Sequence, residues 1–232
     1  METHAYVGAP VDATTARRPE RRTFEGAYVR LEPLSTAHAR DLFEATHGAD
    51  KDAIWRYLFV GPFEDFASFE KYCAAGAQAQ DPMPWAVIDR RSGKAAGSLS
   101  LMRIEPVHRV VEVGGITYGS ALQRTTGSTE AIYLLARYIF DDLGYRRFEW
   151  KCNDLNAPSR SAALRYGFSF EGVFRQHMIV KGRNRDTAWY SMLDSEWPAS
   201  KTAYEAWLDP SNFDANGRQL QSLSAILGYG GI

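Results

Sequence analysis

Asn156-Ala157-Pro158-Ser159-Arg160-Ser161-Ala162-Ala163-Leu164-Arg165-Tyr166-Gly167-Phe168-Ser169-Phe170-Glu171-Gly172-Val173-Phe174-Arg175 is the stretch on which the reading of this chain turns. Ser159 to Tyr166 reads as a short helix, with Ser159 placed just after Pro158 where a helix cap belongs. Phe168 to Val180 and Thr187 to Leu193 read as two strands joined near Lys181-Gly182-Arg183-Asn184. Immediately upstream, Phe148, Trp150 and Cys152 alternate with Arg147, Glu149 and Lys151, the pattern of a strand covered on one face.

Working outward, the strongest helix starts near Ser128. Ile132, Leu135, Ile139 and Leu143 repeat at helical spacing, and Gly144 ends the run. Before it come a first strand at Tyr28 to Leu34, a helix through His38, Leu42 and Phe43, and a second helix from about Asp65 to Ala79. Three sheet segments follow, Trp85 to Asp89, Ala95 to Ile104 and Val110 to Tyr118. Gly114-Gly115 in the last suggests a bulge or a close backbone approach. Residues 1–22 carry no apolar period and read as a mobile arm. Tyr204 to Leu208 suggests a short helix, and beyond Pro210 a loose tail carries some helix near Leu220 to Leu227. The order β-α-α-β-β-β-α-β-α-β-β describes one mixed α/β domain over residues 23–198, with an extension over 199–232 that could dock on its own domain or on a second copy in a homodimer.

Composition narrows the function. The chain has 232 residues, 45% of them hydrophobic, which suits one domain with a substantial core. Twenty-seven basic and 28 acidic side chains nearly cancel, so no excess charge argues for nucleic acid. Cys73 and Cys152 have neither metal-ligand spacing nor a disulfide framework, and the simplest setting is the reducing cytoplasm. No apolar run is long enough to span a bilayer. No metal is expected.

The motif N-x-x-S…G-F-x-x-E-G-x-x-R formed by Asn156, Ser159, Gly167-Phe168, Glu171-Gly172 and Arg175 resembles the C-terminal signature of the Rim-type acetyltransferases of the GNAT superfamily. The resemblance continues through Gly182-Arg183, Asp186, Tyr190-Ser191, Leu193 and Glu196-Trp197, and spans roughly residues 24–197. It implies a GNAT fold, a mixed and mostly antiparallel central sheet flanked by helices. It also implies acetyl-CoA as co-substrate, an amine acceptor and transfer by direct attack in a ternary complex.

The resemblance further implies where the co-substrate binds. GNAT proteins hold its pyrophosphate on a loop of pattern Q/R-x-x-G-x-G/A, here matched by Gln123, Arg124, Thr125, Thr126, Gly127, Ser128 and Thr129. The first expected glycine is Thr126, and Gly127 is displaced by one position. Backbone amides and the helix dipole carry most of that chemistry, so it survives the departure. Taken alone, the loop reads better as an ordinary capped helix start, and the C-terminal signature reverses that preference. In the family, the strand holding Ile116, Thr117 and Tyr118 pairs with the pantetheine arm, and the Asn156 side-chain amide contacts that arm.

Acyl transfer to an amine needs a neutral amine, a polarised thioester carbonyl and a proton for the leaving thiolate. Many GNAT enzymes protonate the thiolate with a tyrosine at the position of Ala163. Rim-type enzymes use a serine where Ser159 stands, and the other reading of Ser159 is a helix cap. Glu112 lies on the strand that carries the Rim-type acidic residue, one place off register; it is either the general base or a solvated glutamate. Glu105 is a weaker candidate, and His108 and His177 are isolated. Trp55, Tyr57 and Phe63, around the Gly61-Pro62 break, form an expected acceptor wall, with Tyr190 on the same groove; each is also a candidate core aromatic. The acceptor is a protein N-terminus or a small amine. The rival class is a silent acyl-CoA-binding or protein-interaction module of the same fold.

Overall fold

Alternating apolar residues build the sheet, in eight strands: β1 (Phe24–Glu25), β2 (Val29–Pro33), β3 (Met83–Asp89), β4 (Ala95–Glu105), β5 (Val110–Tyr118), β6 (Arg147–Asn153), β7 (Ser169–Val180) and β8 (Arg183–Leu193). The computed structural model describes residues 8–228. The strands lie in one sheet in the order β1-β2-β3-β4-β5-β6-β8-β7. Every neighbouring pair is antiparallel except β5 and β6, which run parallel from Val110↔Arg147 to Val113↔Trp150.

Helices cover both faces. On one, α4 (Thr126–Arg137) sets fully buried Ile132 and Leu135 against Leu31, Leu99, Val111 and Phe148. On the other, α1 (Ala39–Thr46), α2 (Lys51–Trp55) and α3 (Phe66–Gln78) enclose a second core around Leu42, Trp55, Phe69 and Cys73 over Ala86 and Ile88. α4 begins two residues before the expected Ser128, because Thr125 is extended (φ −98°, ψ 166°) and its hydroxyl oxygen caps the Ser128 amide at 3.2 Å. The helix continues through a wider turn over Tyr138–Asp142 and stops at Gly144, whose φ of +67° suits glycine. α5 (Ala157–Arg165) lies against β6 and β7 on the α4 face.

The β7–β8 hairpin is tighter than expected. Its turn is Lys181-Gly182 alone, both at positive φ (49° and 71°), the geometry that matches strand twist across a two-residue connection. β8 therefore starts at Arg183 rather than at Thr187, and Arg185 becomes a strand residue.

The described parts of both flanking segments are drawn into the fold. Along the N-terminal segment expected as an arm, the Ala16 amide donates to Pro106 O at 3.1 Å, Arg17 to Asp142 O at 2.8 Å, and the Arg109 Nε to Thr14 O at 2.7 Å; residues 1–7 lie outside the described residues. In the C-terminal extension, α6 (Trp197–Leu208) is longer than the helix expected over Tyr204 to Leu208, and α7 covers Leu223–Ile226. Trp197 stacks on Phe140 at 5.3 Å, the Tyr204 hydroxyl donates to Tyr166 O at 2.9 Å, and buried Asn212 donates to Trp207 O and Gln221 O, both at 3.1 Å.

Glu130 ties α4 to the start of the sheet. Its carboxylate is 5% exposed and accepts the amides of Ala27, Tyr28 and Val29 at 2.6, 2.7 and 2.8 Å. Removing an acceptor from buried donors costs about 1–3 kcal/mol per group, and Ala27 is exposed enough for water to replace the lost bond. Glu130→Ala is therefore expected to lower unfolding free energy by about 2–4 kcal/mol. Urea denaturation checks this, and a loss within about 0.5 kcal/mol, the scale of an ordinary surface change, would contradict it.

Candidate active site

The parallel strands β5 and β6 pair for four residues and then part. The register between β4 and β5 slips just beyond, from Ser100↔Gly114 to Ser98↔Thr117, so β5 holds one extra residue there, and Gly115 sits at φ +58°. This is the bulge that Gly114-Gly115 signalled. It also switches the parity of the strand. Val111 and Val113 face the α4 core before it, and Ile116 and Tyr118 pack against that core after it. Among the described residues, the edge of β5 from Gly114 to Tyr118 has no strand on its β6 side. Past Trp150, β6 pairs only with β8. A fork opens between the two strands.

One wall of the fork leads to the start of α4. Arg124 has φ +59°, and the Gln123 side chain donates to Tyr118 O at 2.8 Å, folding the loop back on its strand. The Thr125 hydroxyl donates to Leu122 O and that of Ser128 to Thr125 O, both at 2.7 Å. Among the described residues, the amides of Arg124, Thr126 and Gly127 have no protein acceptor. Three undirected donors at a helix N-terminus are an arrangement suited to an anion. The Thr129 hydroxyl is taken by Arg165 at 2.9 Å, so Thr129 braces α5 instead.

The opposite wall carries Asn156 and Ser159. Asn156 is the N-cap of α5, its Oδ1 accepting the Ser159 amide at 3.3 Å, which leaves its side-chain NH₂ unused. Ser159 is not the cap. Its Oγ accepts the Trp150 indole N–H at 3.0 Å, and Trp150 is the last residue of β6 paired with β5. The hydroxyl is thus anchored through its oxygen at the apex of the fork. The buried Cys152 thiol is beside it: burial raises that thiol's pKa, and the Ser159 hydroxyl partly offsets the rise.

The other face of the apex holds a buried ionic lattice. Lys151 Nζ lies 3.0 Å from Glu112 Oε2 and 2.6 Å from Glu149 Oε2, and over the Trp189 ring at 3.9 Å. The Arg103 Nε lies 3.0 Å from the same Glu112 oxygen. Arg147 joins Glu149 at 2.6 Å to Glu171 at 2.5 Å. Burial pushes the Glu112 carboxyl above the usual carboxylate range, and Lys151 and Arg103 pull it part of the way back. Glu112 is therefore neither solvated nor isolated. Glu105 and His108 are exposed at the other end of the β4–β5 pair, away from the fork.

The four expected acceptor residues separate. Trp55 is 1% exposed, donates its indole N–H to Thr46 O at 3.0 Å and packs edge-on to Phe63 at 5.4 Å. It belongs to the α1–α3 core, yet it also lines a slender cavity of about 20 Å³ with Tyr72, Ser98, Ser100, Gly115 and Thr117, room for one water. Tyr57 crosses to the far wall, its hydroxyl donating to Leu155 O at 3.0 Å next to Asn156. Tyr190 does not share this groove. Strand alternation turns it to the α5 face, buried, where its hydroxyl accepts from Arg160 at 3.3 Å. Its neighbour Trp189 faces the side of Lys151 and Glu112. Sequence reasoning missed Arg103, Lys151, Arg185 and Trp189, and passed over His177, which bonds the Thr187 hydroxyl at 3.0 Å and whose pKa is lowered by burial and by those three cations. The alternation of β6 and of a longer β8 was the available signal.

The comparisons agree with this geometry. The family described as Acetyltransferase (GNAT) domain matches residues 29–169, more than half of the chain; the chain belongs to the GNAT acetyltransferase family and is an N-acetyltransferase. A GCN5-related N-acetyltransferase from Brucella melitensis is 50% identical, with a TM-score of 0.92 over 94% of this chain and 99% of that one. A structure described as one of the "probable acetyltransferases (GNAT family)" of Chromobacterium violaceum ATCC 12472 is 39% identical, with a TM-score of 0.77 over 83% and 97%. A protein of Bacillus subtilis (strain 168) named "Putative ribosomal N-acetyltransferase YdaF" is 30% identical over 109 residues, 47% of this chain and 59% of that relative. The Rim-like signature is in keeping with it. Among the described residues no helix is long and apolar enough to cross a membrane, and no group of side chains has metal-site geometry.

Lys151 is the cation on which this face depends. Breaking a buried ion pair by removing one partner costs about 3–5 kcal/mol. Lys151→Met is expected to lose stability on that scale at pH 7. Without Lys151 the Glu112 pKa rises further, so the folded state takes up a proton more readily than the unfolded one. The loss should therefore shrink as pH falls toward 5. Urea titrations at the two pH values check this; a loss independent of pH would show that the carboxylates are not what Lys151 offsets.

Proposed function

We propose that the protein transfers an acetyl group from acetyl-CoA to a primary amine, on a protein N-terminus or a small molecule, by direct attack in a ternary complex in the cytoplasm. The observation that carries this reading is the fork between β5 and β6, with unpaired amides at one end and Glu112 and Ser159 on the two sides of its apex. The residues present fit the co-substrate. The amides of Arg124, Thr126 and Gly127 would receive the pyrophosphate, the open edge of β5 at Ile116 to Tyr118 the pantetheine arm, and the Asn156 amide the same arm from the other wall. Acetyl-CoA, when bound, supplies the activated acyl group and a thiolate leaving group.

The chain's own side chains handle the protons. Glu112, its pKa raised by burial, takes the amine proton directly or through a water, with Arg103 and Lys151 holding its carboxylate in place. The Ser159 hydroxyl, anchored by Trp150, donates toward the sulfur. Cys152 is buried with its pKa raised and is not an activated nucleophile, in keeping with transfer without a covalent intermediate. The Bacillus subtilis relative's name supports a ribosomal protein as acceptor, and the small-amine alternative shares the same chemistry.

Thr126 offers a clean test of the cradle. It is the first residue of α4, where proline is tolerated, and Thr125 before it is already extended. Thr126→Pro deletes one amide without breaking the helix, so CoA affinity measured by isothermal titration should fall about tenfold, the worth of one charge-assisted hydrogen bond. Thr126→Ala should change it little. Equal effects of the two substitutions in folded protein would remove the backbone cradle.

Ser159 tests the chemistry. Acetyl-CoA turnover on a panel of peptide N-termini and small amines establishes the activity. In that assay Ser159→Ala should lower kcat about 100-fold or more, the lower range for a general acid, with little change in KM for acetyl-CoA. Near-full kcat with chemistry rate-limiting would make Ser159 a structural partner of Trp150 and nothing more.

A further inference from the structure

Arg185 is 6% exposed, and among the described residues no carboxylate lies within ion-pair distance of it. Its one hydrogen bond runs from Nε to the Thr187 hydroxyl at 3.2 Å. The guanidinium lies over the Phe59 ring, 4.8 Å from its centre, and Phe59 is itself 46% exposed. Buried charges are normally paired, and Lys151, whose side chain is 5% exposed a few residues away across β6 and β8, has two carboxylates. Arg185 is the exception, and the two NH₂ groups of its fork are left without a protein acceptor.

The position gives that exception meaning. Strand alternation puts Arg185, Thr187 and Trp189 of β8 on the face that carries Glu112 and Lys151 of β5 and β6. The hairpin tip is fastened over this face by Lys181, whose Nζ donates to Trp55 O at 2.9 Å. Arg185 is thus held between the α2 loop, the β7–β8 hairpin and the fork apex, on the acceptor side.

We propose that Arg185 selects the acceptor: it binds a carboxylate carried by the amine substrate, close to the amine that Glu112 deprotonates. This rests on the reading of the fork as the transfer site. A planar fork of N–H donors matches a carboxylate bidentately, and a bound carboxylate supplies the counter-charge that the protein does not. The favoured acceptors are α-amino acids, or peptides with an acidic residue next to the N-terminus, over neutral or basic amines.

The test compares acid and amide pairs: glycine with glycinamide and glutamate with glutamine as free amino acids, and the peptides Ser-Glu-Ala-amide and Ser-Gln-Ala-amide. Wild type should prefer the acid of at least one pair by tenfold or more in kcat/KM, and which pair responds separates free amino acids from acidic peptides. Arg185→Gln should collapse that preference to about twofold while retaining turnover of the amide; Arg185→Lys should recover part of it. Acetyl-CoA affinity, measured by titration without acceptor, should stay within about twofold, so failure of the co-substrate reading is seen separately. As a turnover-free readout, N-acetylated forms of the same acids should bind the CoA complex more tightly than their amides, and Arg185→Gln should remove the difference. No acid preference in wild type by either readout, an equal loss on acid and amide, or a loss confined to acetyl-CoA affinity each overturns the proposal.

Discussion

The fold is organised around two parallel strands that pair for four residues and are then prevented from continuing. Ladder hydrogen bonding would favour extending the β5–β6 pair, because each net bond is worth about 1 kcal/mol. The bulge at Gly114-Gly115 forbids it by inserting a residue and turning β5 away. Backbone donors and acceptors are left facing a gap, and unpaired backbone groups are tolerated only where something else satisfies them. The rest of the molecule holds that gap open. β4 grips the outer edge of β5, β8 grips the outer edge of β6, and α4 and α5 close the floor. The amide-rich start of α4 lies at one end because α4 directly follows β5.

The two faces of the apex solve different electrostatic problems. The α5 side brings Trp150, Cys152 and Ser159 together, and its charges, Arg160 and Asp154, are paired with each other, which suits a weak donor acting on a sulfur. The acceptor side concentrates charge that a sheet of this kind would ordinarily exclude. Buried ion pairs are seldom net stabilising, so the Arg103–Glu112–Lys151–Glu149 lattice is better understood through its effect on Glu112. Burial raises the pKa of that carboxyl, and Lys151 and Arg103 oppose the rise; a raised pKa makes a carboxylate a stronger base.

Much of this was legible in the sequence where a local rule decides the structure. The parity switch from Val111 and Val113 to Ile116 and Tyr118 around two glycines marks the bulge, and the alternation of Phe148, Trp150 and Cys152 marks the strand opposite. The Asn156-x-x-Ser159 element is legible as a motif, but its division of labour was not. Which residue caps α5 depends on where Trp150 points its indole N–H, a contact made across nine residues of chain. Tyr190 was placed on the wrong face because the groove was inferred from aromatic content and not from strand parity. Lys151 and Arg103 were invisible for a different reason. Their partner Glu112 is 39 and nine residues away, and no local pattern reports an ion pair closed by sheet register.

The C-terminal extension shows how far from the fork its geometry is maintained. α5 is a short helix of weak amphipathicity with only Ala163 fully buried, so it cannot hold Ser159 in position by its own packing. Its C-terminal end is fixed by others. Tyr204 of α6 donates to Tyr166 O, Arg165 lies over the Trp207 ring at 4.9 Å and donates to Thr129, and Leu227 beyond α7 lies alongside Gly167. Tyr166, buried among Ser128, Thr129 and Arg165, links the end of α5 to the first turn of α4. The starts of α4 and α5 are therefore tied to one another by Thr129, Arg165 and Tyr166, and these are backed by Tyr204, Trp207 and Leu227 from beyond the region matched by the family. The extension thus serves twice: Trp197, Ala203, Tyr204, Trp207 and Leu223 complete the core beside α4, and the contacts at the end of α5 support the turn at Asn156.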